Sequence, residues 1–525
     1  MAEVILIRPS FARGLKFSDY TKESRPPAGL LYLAAPLVQH GFDVVIIDQS
    51  VEKNWQETLL GQLDEKTICI GITCLTGYMI VNGIEIVKLT RQFSNCPIIW
   101  GGVHPSLETD TTIASEYVDM IVQGEGEETF LELVIALKNK ETLENIPGVI
   151  YKKGGNVYKN KPRRPYDLNK LPPLPFHLVN LENYRDHYSL TRYFRFKSPM
   201  AISIETSRGC THRCSYCVLS SDIYKEKARW RGMSASKIAD MVEDIFKRLG
   251  VHAFAFIDDN FFVDINRVKE FLSEIERRNL NIEWFSDVRM DTIVNKLDHD
   301  FLKRLEKLGL RTLCIGIESG SNQMLKFLHK GETRETYIEA NRMLSATTIV
   351  PRYGIIQGFP TETREDAEET YILVTQLLKD NPNCVPKLNK LLPTPGTTLL
   401  DECIKKGFKP PQKFEDWADY CDTPWTHGPA PWMDKEAAEF VISQLYYNDL
   451  LLFATAKPRR GPITNAILNT ATKLLLYRIK KQFYAFKFEK FFHRFIRTPY
   501  FYSIIKRFYT IYLKLYRKVT ADARN

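Results

Sequence analysis

Short, near-continuous apolar runs punctuate the first 150 residues: EVILIRP, DVVIIDQ, ICIGITC, CPIIWGG and DMIVQG. Between them apolar positions return every three or four residues, as in GLLYLAAPLVQHG, where Gly41 marks a helix end. Strands apolar at nearly every position are buried on both faces. The pattern therefore predicts a Rossmann-like α/β domain over residues 1–150, a parallel sheet covered by helices. Ligands of such sheets lie beyond the carboxyl ends of the strands. Small and polar residues fall there: Thr73, Thr76 and Gly77, then Gly101, Gly102 and His104, then Gly124 and Glu125.

The alternation pauses over residues 151–198, where KPRRPYDLNKLPPLPFHLV is rich in proline and charge and reads as a linker. It resumes at residue 199. AISIET, AFAFIDD, IEWFSDV, TLCIGIE, RYGIIQG and KLNKLLPT are strand-like, and helical stretches such as SASKIADMVEDIFKRLG lie between most of them. Six strands with crossover helices predict a partial (β/α)6 barrel over residues 199–395. Polar residues again gather at the strand ends: Asp258, Asp259, Asp287, Arg289, Glu318, Ser319 and Gly358. In a parallel barrel that end carries the active face. Residues 396–455, with PWTHGPAPWM, read as an extension capping the barrel, and residues 456–525 as a helical tail.

Composition changes this picture in two places. The net charge of +9 is concentrated at the end: from Ala456 onward there are seventeen Lys and Arg against two acids. Phe and Tyr are interleaved with them. The tail is expected to pack its aromatics on the body and to make peripheral contact with an anionic membrane, while nucleic acid is not an expected partner. No apolar run has the length of a signal peptide core or a spanning helix, so a cytoplasmic protein, possibly membrane-associated, is expected. In that compartment thiols are reduced, and clustered cysteines indicate metal or catalysis.

One such cluster exists. ETSRGCTHRCSYC directly follows the first barrel strand and places Cys210, Cys214 and Cys217 at C-x3-C-x2-C spacing. Three thiolates on one loop suit a four-iron cluster, leaving one iron open. A zinc site with a distant fourth ligand, His212 or another cysteine, is the other reading. The spacing after a first barrel strand resembles that of the radical S-adenosylmethionine (SAM) superfamily. The resemblance implies a 4Fe-4S cluster on these three cysteines, with SAM on the open iron and an external electron donor such as flavodoxin or ferredoxin. It also implies SAM contacts for Tyr216, for Glu318 and Ser319 of GIESGS, for Arg289 of SDVRMD and for Gly358 of IQGFPTET. Asp258, at its strand end, joins this SAM set.

A five-stranded parallel domain ahead of such a barrel resembles the cobalamin-binding radical SAM enzymes. The resemblance implies cobalamin held by Thr73, Thr76, Gly77, Gly101, Gly102, His104, Gly124 and Glu125. The cobalt-ligating D-x-H-x-x-G motif is not matched: DQSVEK keeps Asp48 but has Ser50 and Lys53 in place of His and Gly. Cobalamin is therefore expected without a histidine ligand from that loop. The implied activity is methylation of an unactivated carbon of a small-molecule or lipid-like substrate. Radical oxidation or cyclisation without methyl transfer is the alternative, and a non-catalytic cobalamin sensor or scaffold is a third reading.

Overall fold

The computed structural model describes residues 1–12, 25–184, 194–225, 230–422 and 429–442, together with Tyr477. Five parallel strands open the fold: β1 (Val4–Arg8), β2 (Val44–Asp48), β3 (Cys69–Thr73), β4 (Ile98–Gly101) and β5 (Met120–Val122). They lie in the order β2-β1-β3-β4-β5. Helices α1 (Ala28–Gln39) and α4 (Glu127–Asn139) share one apolar cluster, while α2 (Trp55–Gln62) and α3 (Met79–Thr90) belong to the other. All five expected strands are present.

The sheet does not end at residue 150. β6 (Val149–Lys153) pairs antiparallel with β5, and β7 (Asn156–Lys159) pairs antiparallel with β6, making seven strands. The linker expected from residue 151 therefore begins after this hairpin. β7 is exposed at every position, so it has no apolar face to show. Its signal is the turn: Gly154 and Gly155 both have positive φ, as a tight two-residue hairpin requires. Beyond it the segment is a packed strap. Leu168, Leu171, Leu174 and Phe176 are buried, and Lys237 Nζ donates to the Leu171 carbonyl (2.8 Å).

The barrel strands are β8 (Ala201–Ile204), β9 (Ala253–Phe256), β10 (Glu283–Asp287), β11 (Leu310–Glu318), β12 (Val350–Gln357) and β13 (Val385–Lys390). They form one parallel sheet in sequential order, as the six strand-like segments predict. The helices between them are strongly amphipathic and well capped. α5 (Ala235–Leu249) starts at Ser234, whose hydroxyl accepts from the Lys237 amide, and ends at left-handed Gly250; Ile238, Val242 and Ile245 face the sheet.

The extension does more than cap the barrel. Phe414 stacks edge-on against Trp100 of β4, with ring centroids 5.1 Å apart. Trp417, Tyr420 and Trp432 share one buried cluster with Ile80 and Trp100 of the first domain and with Met324 and Phe359 of the barrel. A second cluster runs from α1 and α4 through the strap to the barrel core. Apolar packing thus joins the two domains along both faces of the first sheet. No helix among the described residues is long and apolar enough to cross a membrane. Apart from Tyr477, the basic tail and the membrane contact expected of it lie outside the described residues, as does the segment 443–455.

Candidate active site

The cysteine loop is tied down before it begins. At the end of β9 the buried Asp258 carboxylate accepts from the Thr206 amide (2.7 Å), the Thr206 hydroxyl (2.6 Å) and the Ser207 hydroxyl (2.5 Å), and Arg267 lies 3.7 Å away. Its neighbour Asp259 accepts from the Gly209 amide (2.7 Å). Two consecutive acids therefore fix the backbone that leads into Cys210. Asp258, expected to meet SAM, is engaged in this anchoring. Further on, the Ser215 amide donates to the Leu328 carbonyl (3.0 Å) and the Leu399 amide to the Ser215 carbonyl (3.1 Å).

Cys214 is buried, and Cys210 and Cys217 are half-buried. Cys210 and Cys214 lie close enough to act on Cys217: burial pushes its thiol up to about 11, and Asp259, Cys214 and Cys210 add to the rise. Among the described residues no three Cys, His, Asp or Glu side chains are grouped as around a single metal ion.

Across the barrel mouth, three of the sequence-predicted SAM residues fall into one network. Tyr216 Oη donates to Glu318 Oε1 (2.9 Å). Lys330 Nζ lies 3.7 Å from that oxygen and 3.6 Å from Glu332 Oε2. Arg289 donates to the Lys330 carbonyl (2.7 Å) and faces Asp291 (3.2 Å) and Glu332 (3.6 Å). Glu318 itself is left-handed (φ +57°), a strained state for a non-glycine residue at a strand end. It folds back over Gly316, where a Cβ would sit 2.2 Å from its carboxylate. Lys330 and Glu332 were passed over in the sequence; their signal is KGET, close behind GIESGS.

Ser319 and Gly358 do not join this network. Ser319 is buried, with its hydroxyl 3.3 Å from that of Thr370. Gly358 (φ +87°) packs under Met433 and accepts at its carbonyl from Trp432 Nε1 (2.8 Å). Beside it Glu362 is fully buried; burial pushes its carboxyl up to about 8, against two backbone donors from Gly358 and Phe359.

A cavity of about 330 Å³ lies between the domains. Thr73, Gly101, Gly102, Gly124 and Glu125 line it from the first sheet. From the barrel come Arg208 and Gly209, Val218 and Leu219, at the two ends of the cysteine loop, and Asp259 beyond β9. Gly102 has φ +95°, and a Cβ there would meet Cys74 O at 2.9 Å and Thr73 Oγ1 at 3.1 Å. Arg208, unnoticed in the sequence beside Cys210, donates to Glu205 (2.7 Å), Glu125 (3.0 Å) and Glu127 (2.6 Å), joining the domains; Arg231 also pairs with Glu125. Burial pushes Glu205 up to about 7, opposed by Arg208.

Three expected cobalamin residues stand elsewhere. Thr76, Gly77 and His104 are not among the cavity-lining residues. The His104 ring is fully buried, 2.9 Å from Thr76 Oγ1 through Nδ1, and packs on Phe414 and Trp417. Burial drives its pKa down to about 3. It is a core histidine. Asp48, retained from the cobalt-ligating motif, pairs with Arg8 and accepts from Tyr184 Oη (2.7 Å) and the Ser50 amide (3.0 Å).

Residues 204–374 match the family model of the radical SAM superfamily, and residues 21–134 match the B12 binding domain. An uncharacterized methyltransferase of Pyrococcus horikoshii is 30% identical over 409 residues, covering 77% of this chain and 83% of that protein. The chain belongs to the cobalamin-binding radical SAM enzymes. This family membership sets aside the non-catalytic reading. The anaerobic magnesium-protoporphyrin IX monomethyl ester cyclase of Synechocystis sp. is 27% identical, covering 71% of this chain and 72% of the cyclase. In fold the chain is similar to the radical SAM methyltransferase TsrM of Kitasatospora setae, with tryptophan and a SAM analogue bound (TM-score 0.62, 19% identity, 80% of this chain and 82% of that one). It is also similar to the cobalamin-dependent SAM radical enzyme OxsB (TM-score 0.67, 18% identity, 91% and 72%).

The cofactors of the family are a 4Fe-4S cluster, SAM and cobalamin. The residues present fit them. Three neighbouring thiols on one anchored loop match a cluster with one iron left open. The glycine edge of the cavity lets backbone approach a large planar ligand.

Proposed function

We propose that the protein is a C-methyltransferase acting on an unactivated carbon of a small-molecule or lipid-like substrate enclosed between the two strand-end faces. The observation that carries this reading is the shared wall: both ends of the cysteine loop, Gly209 and Val218, line the same cavity as Gly101, Gly102 and Gly124. When bound, the cluster and SAM supply a hydrogen-abstracting 5′-deoxyadenosyl radical, and cobalamin supplies the methyl group.

The chain's own part is to hold, aim and seal. Cys210, Cys214 and Cys217 would each bind one iron. Tyr216 and Glu318 present a phenol and a carboxylate to the hydroxyl and amino groups of SAM, and Arg289 and Lys330 present positive charge to its carboxylate. Gly101, Gly102 and Gly124 would admit cobalamin against bare backbone, and the Arg208 cage keeps the two faces opposed. An external one-electron donor of the flavodoxin or ferredoxin kind is required.

The test needs no substrate. Anaerobic protein reconstituted with iron, sulfide and hydroxocobalamin is given trideuteromethyl-SAM and dithionite. The expected result is 5′-deoxyadenosine together with the trideuteromethyl label on the cobalamin fraction. Deoxyadenosine without label transfer sinks the methylase reading. It would favour cobalamin-assisted oxidation or ring closure, the second reading, which the likeness to the Synechocystis cyclase supports.

A further inference from the structure

The cysteine loop has a neck. The chain enters it along the short strand Ser207–Arg208 and returns along Arg231–Gly232, and the two pair antiparallel with Arg208 opposite Arg231. Cys210, Cys214 and Cys217 lie in the stretch between. The Met233 amide donates to the Thr206 carbonyl (2.8 Å) and extends the ladder by one bond. Like charges directly opposite one another on paired strands repel. Such a neck closes best with a carboxylate across it.

That carboxylate comes from the other domain. Glu125 reaches both arginines at once: Oε2 accepts from Arg208 Nη1 (3.0 Å), and Oε1 pairs with Arg231 Nη2. Oε2 also accepts from the Tyr166 amide (3.0 Å) of the strap, and the Tyr166 carbonyl accepts from Arg231 Nε (3.3 Å). Glu127 (2.6 Å) and Glu205 (2.7 Å) grip Arg208 from further sides, while Glu125 spans the neck.

The backbone that carries Glu125 is pinned. Its neighbours Gly124 and Gly126 both line the cavity. The Gly124 amide donates to Ser106 Oγ (2.8 Å), and that hydroxyl donates to the Gly102 carbonyl (2.7 Å). Gly126 is pressed on Leu33, where a Cβ would stand 2.9 Å from Cδ1. The turn that faces the cavity and the clamp on the neck are therefore adjacent residues of one backbone. A ligand seated on the turn holds the clamp in place, and a cluster that closes the loop holds it from the other side.

We propose that Glu125 is a positioning residue of the cysteine loop, and that through it cobalamin and the cluster strengthen each other's binding. The inference rests on cobalamin lying against the glycine face, as in the proposed function, and holds for methyl transfer and ring closure alike. Coupling of this kind is reciprocal, so each cofactor raises the affinity for the other by the same factor.

The experiment is anaerobic equilibrium dialysis of hydroxocobalamin against the full-length protein, with and without the reconstituted cluster. In the wild type the cluster is expected to tighten cobalamin binding roughly five- to tenfold. Glu125→Gln keeps the size of the side chain but removes its charge, and should bring the two dissociation constants together. Arg231→Gln opens the same bridge from the returning strand and should do likewise, which covers a Glu125→Gln protein that does not load iron. A residue that merely supported the fold would weaken binding in both states and leave the ratio unchanged. Equal affinities with and without the cluster in the wild type overturn the proposal, as does a ratio that survives either substitution. Dialysis needs no turnover, so the two readings fail separately. Uncoupled binding with label transfer sinks the coupling alone, and coupled binding without label transfer sinks the methylase reading alone.

Discussion

The two strand-end faces solve the same problem in opposite ways. On the first sheet the cavity edge is rich in missing side chains: Gly101, Gly102, Gly124 and Gly126 present bare backbone, and the two glutamates there, Glu125 and Glu127, are held by Arg208, Glu125 by Arg231 as well. At the barrel mouth the surface is made of charged side chains that hold one another: Tyr216, Glu318, Lys330, Glu332 and Arg289. The first recognises by shape and the second by charge. The first should therefore fail when atoms are added, and the second when charges are removed.

The largest expected effect is on the cysteine loop that both faces share. Cys214→Ala should lose the cluster and reduce 5′-deoxyadenosine formation to background, read by iron and sulfide content and by chromatography. Retained iron in that variant would break the assignment of Cys214 as a ligand.

Next comes a pH effect inside the barrel domain, at the buried Glu362 beside Gly358. The folded pKa of Glu362 is raised to about 8 from an ordinary carboxyl value near 4.5. Between those values the unfolded chain has released the proton and the folded one retains it, so stability falls as pH rises and levels off above about 8. Glu362→Gln should remove this fall, on the order of a few kcal/mol across that window. Thermal melts of wild type and variant at pH 5, 7 and 9 measure it; parallel curves would contradict it.

A smaller effect is expected from adding one methyl group on the shape side. Gly102→Ala puts a Cβ into a left-handed turn 2.9 Å from a carbonyl oxygen. It should cost about 1–3 kcal/mol and weaken cobalamin retention, measured by absorbance after gel filtration, while SAM cleavage by the barrel persists. The smallest is Glu318→Gln, which keeps the acceptor for Tyr216 but removes the charge beside Lys330. SAM affinity should fall roughly tenfold, about 1.4 kcal/mol, in equilibrium binding. Loss of cobalamin from Glu318→Gln, or loss of SAM affinity from Gly102→Ala, would blur the division between the faces.

The sequence made the architecture readable because the strands are buried on both faces, so each appears as an uninterrupted apolar run. The hairpin of β6 and β7 escaped because β7 is exposed throughout and carries only a Gly-Gly turn. At the site, residue types that can do chemistry were visible, but not whether they were already spoken for. Asp258 and His104 have the right identity at strand ends, yet one anchors Thr206 and Ser207 and the other sits against Phe414 and Trp417. Lys330, Glu332 and Arg208 went unread because their partners come from distant segments. Arg208 touches Glu125 and Glu127, some eighty positions earlier.

The central claim is that the glycine-lined face and the cysteine loop belong to one site. Pulsed electron paramagnetic resonance tests it most directly, on protein reconstituted with both metallocofactors, the cobalamin as paramagnetic Co(II) and the cluster reduced. A shared cavity wall predicts a resolved dipolar coupling between the two spins, and its loss when Gly102→Ala releases the cobalamin. Two independent, uncoupled spectra from fully loaded protein would contradict it.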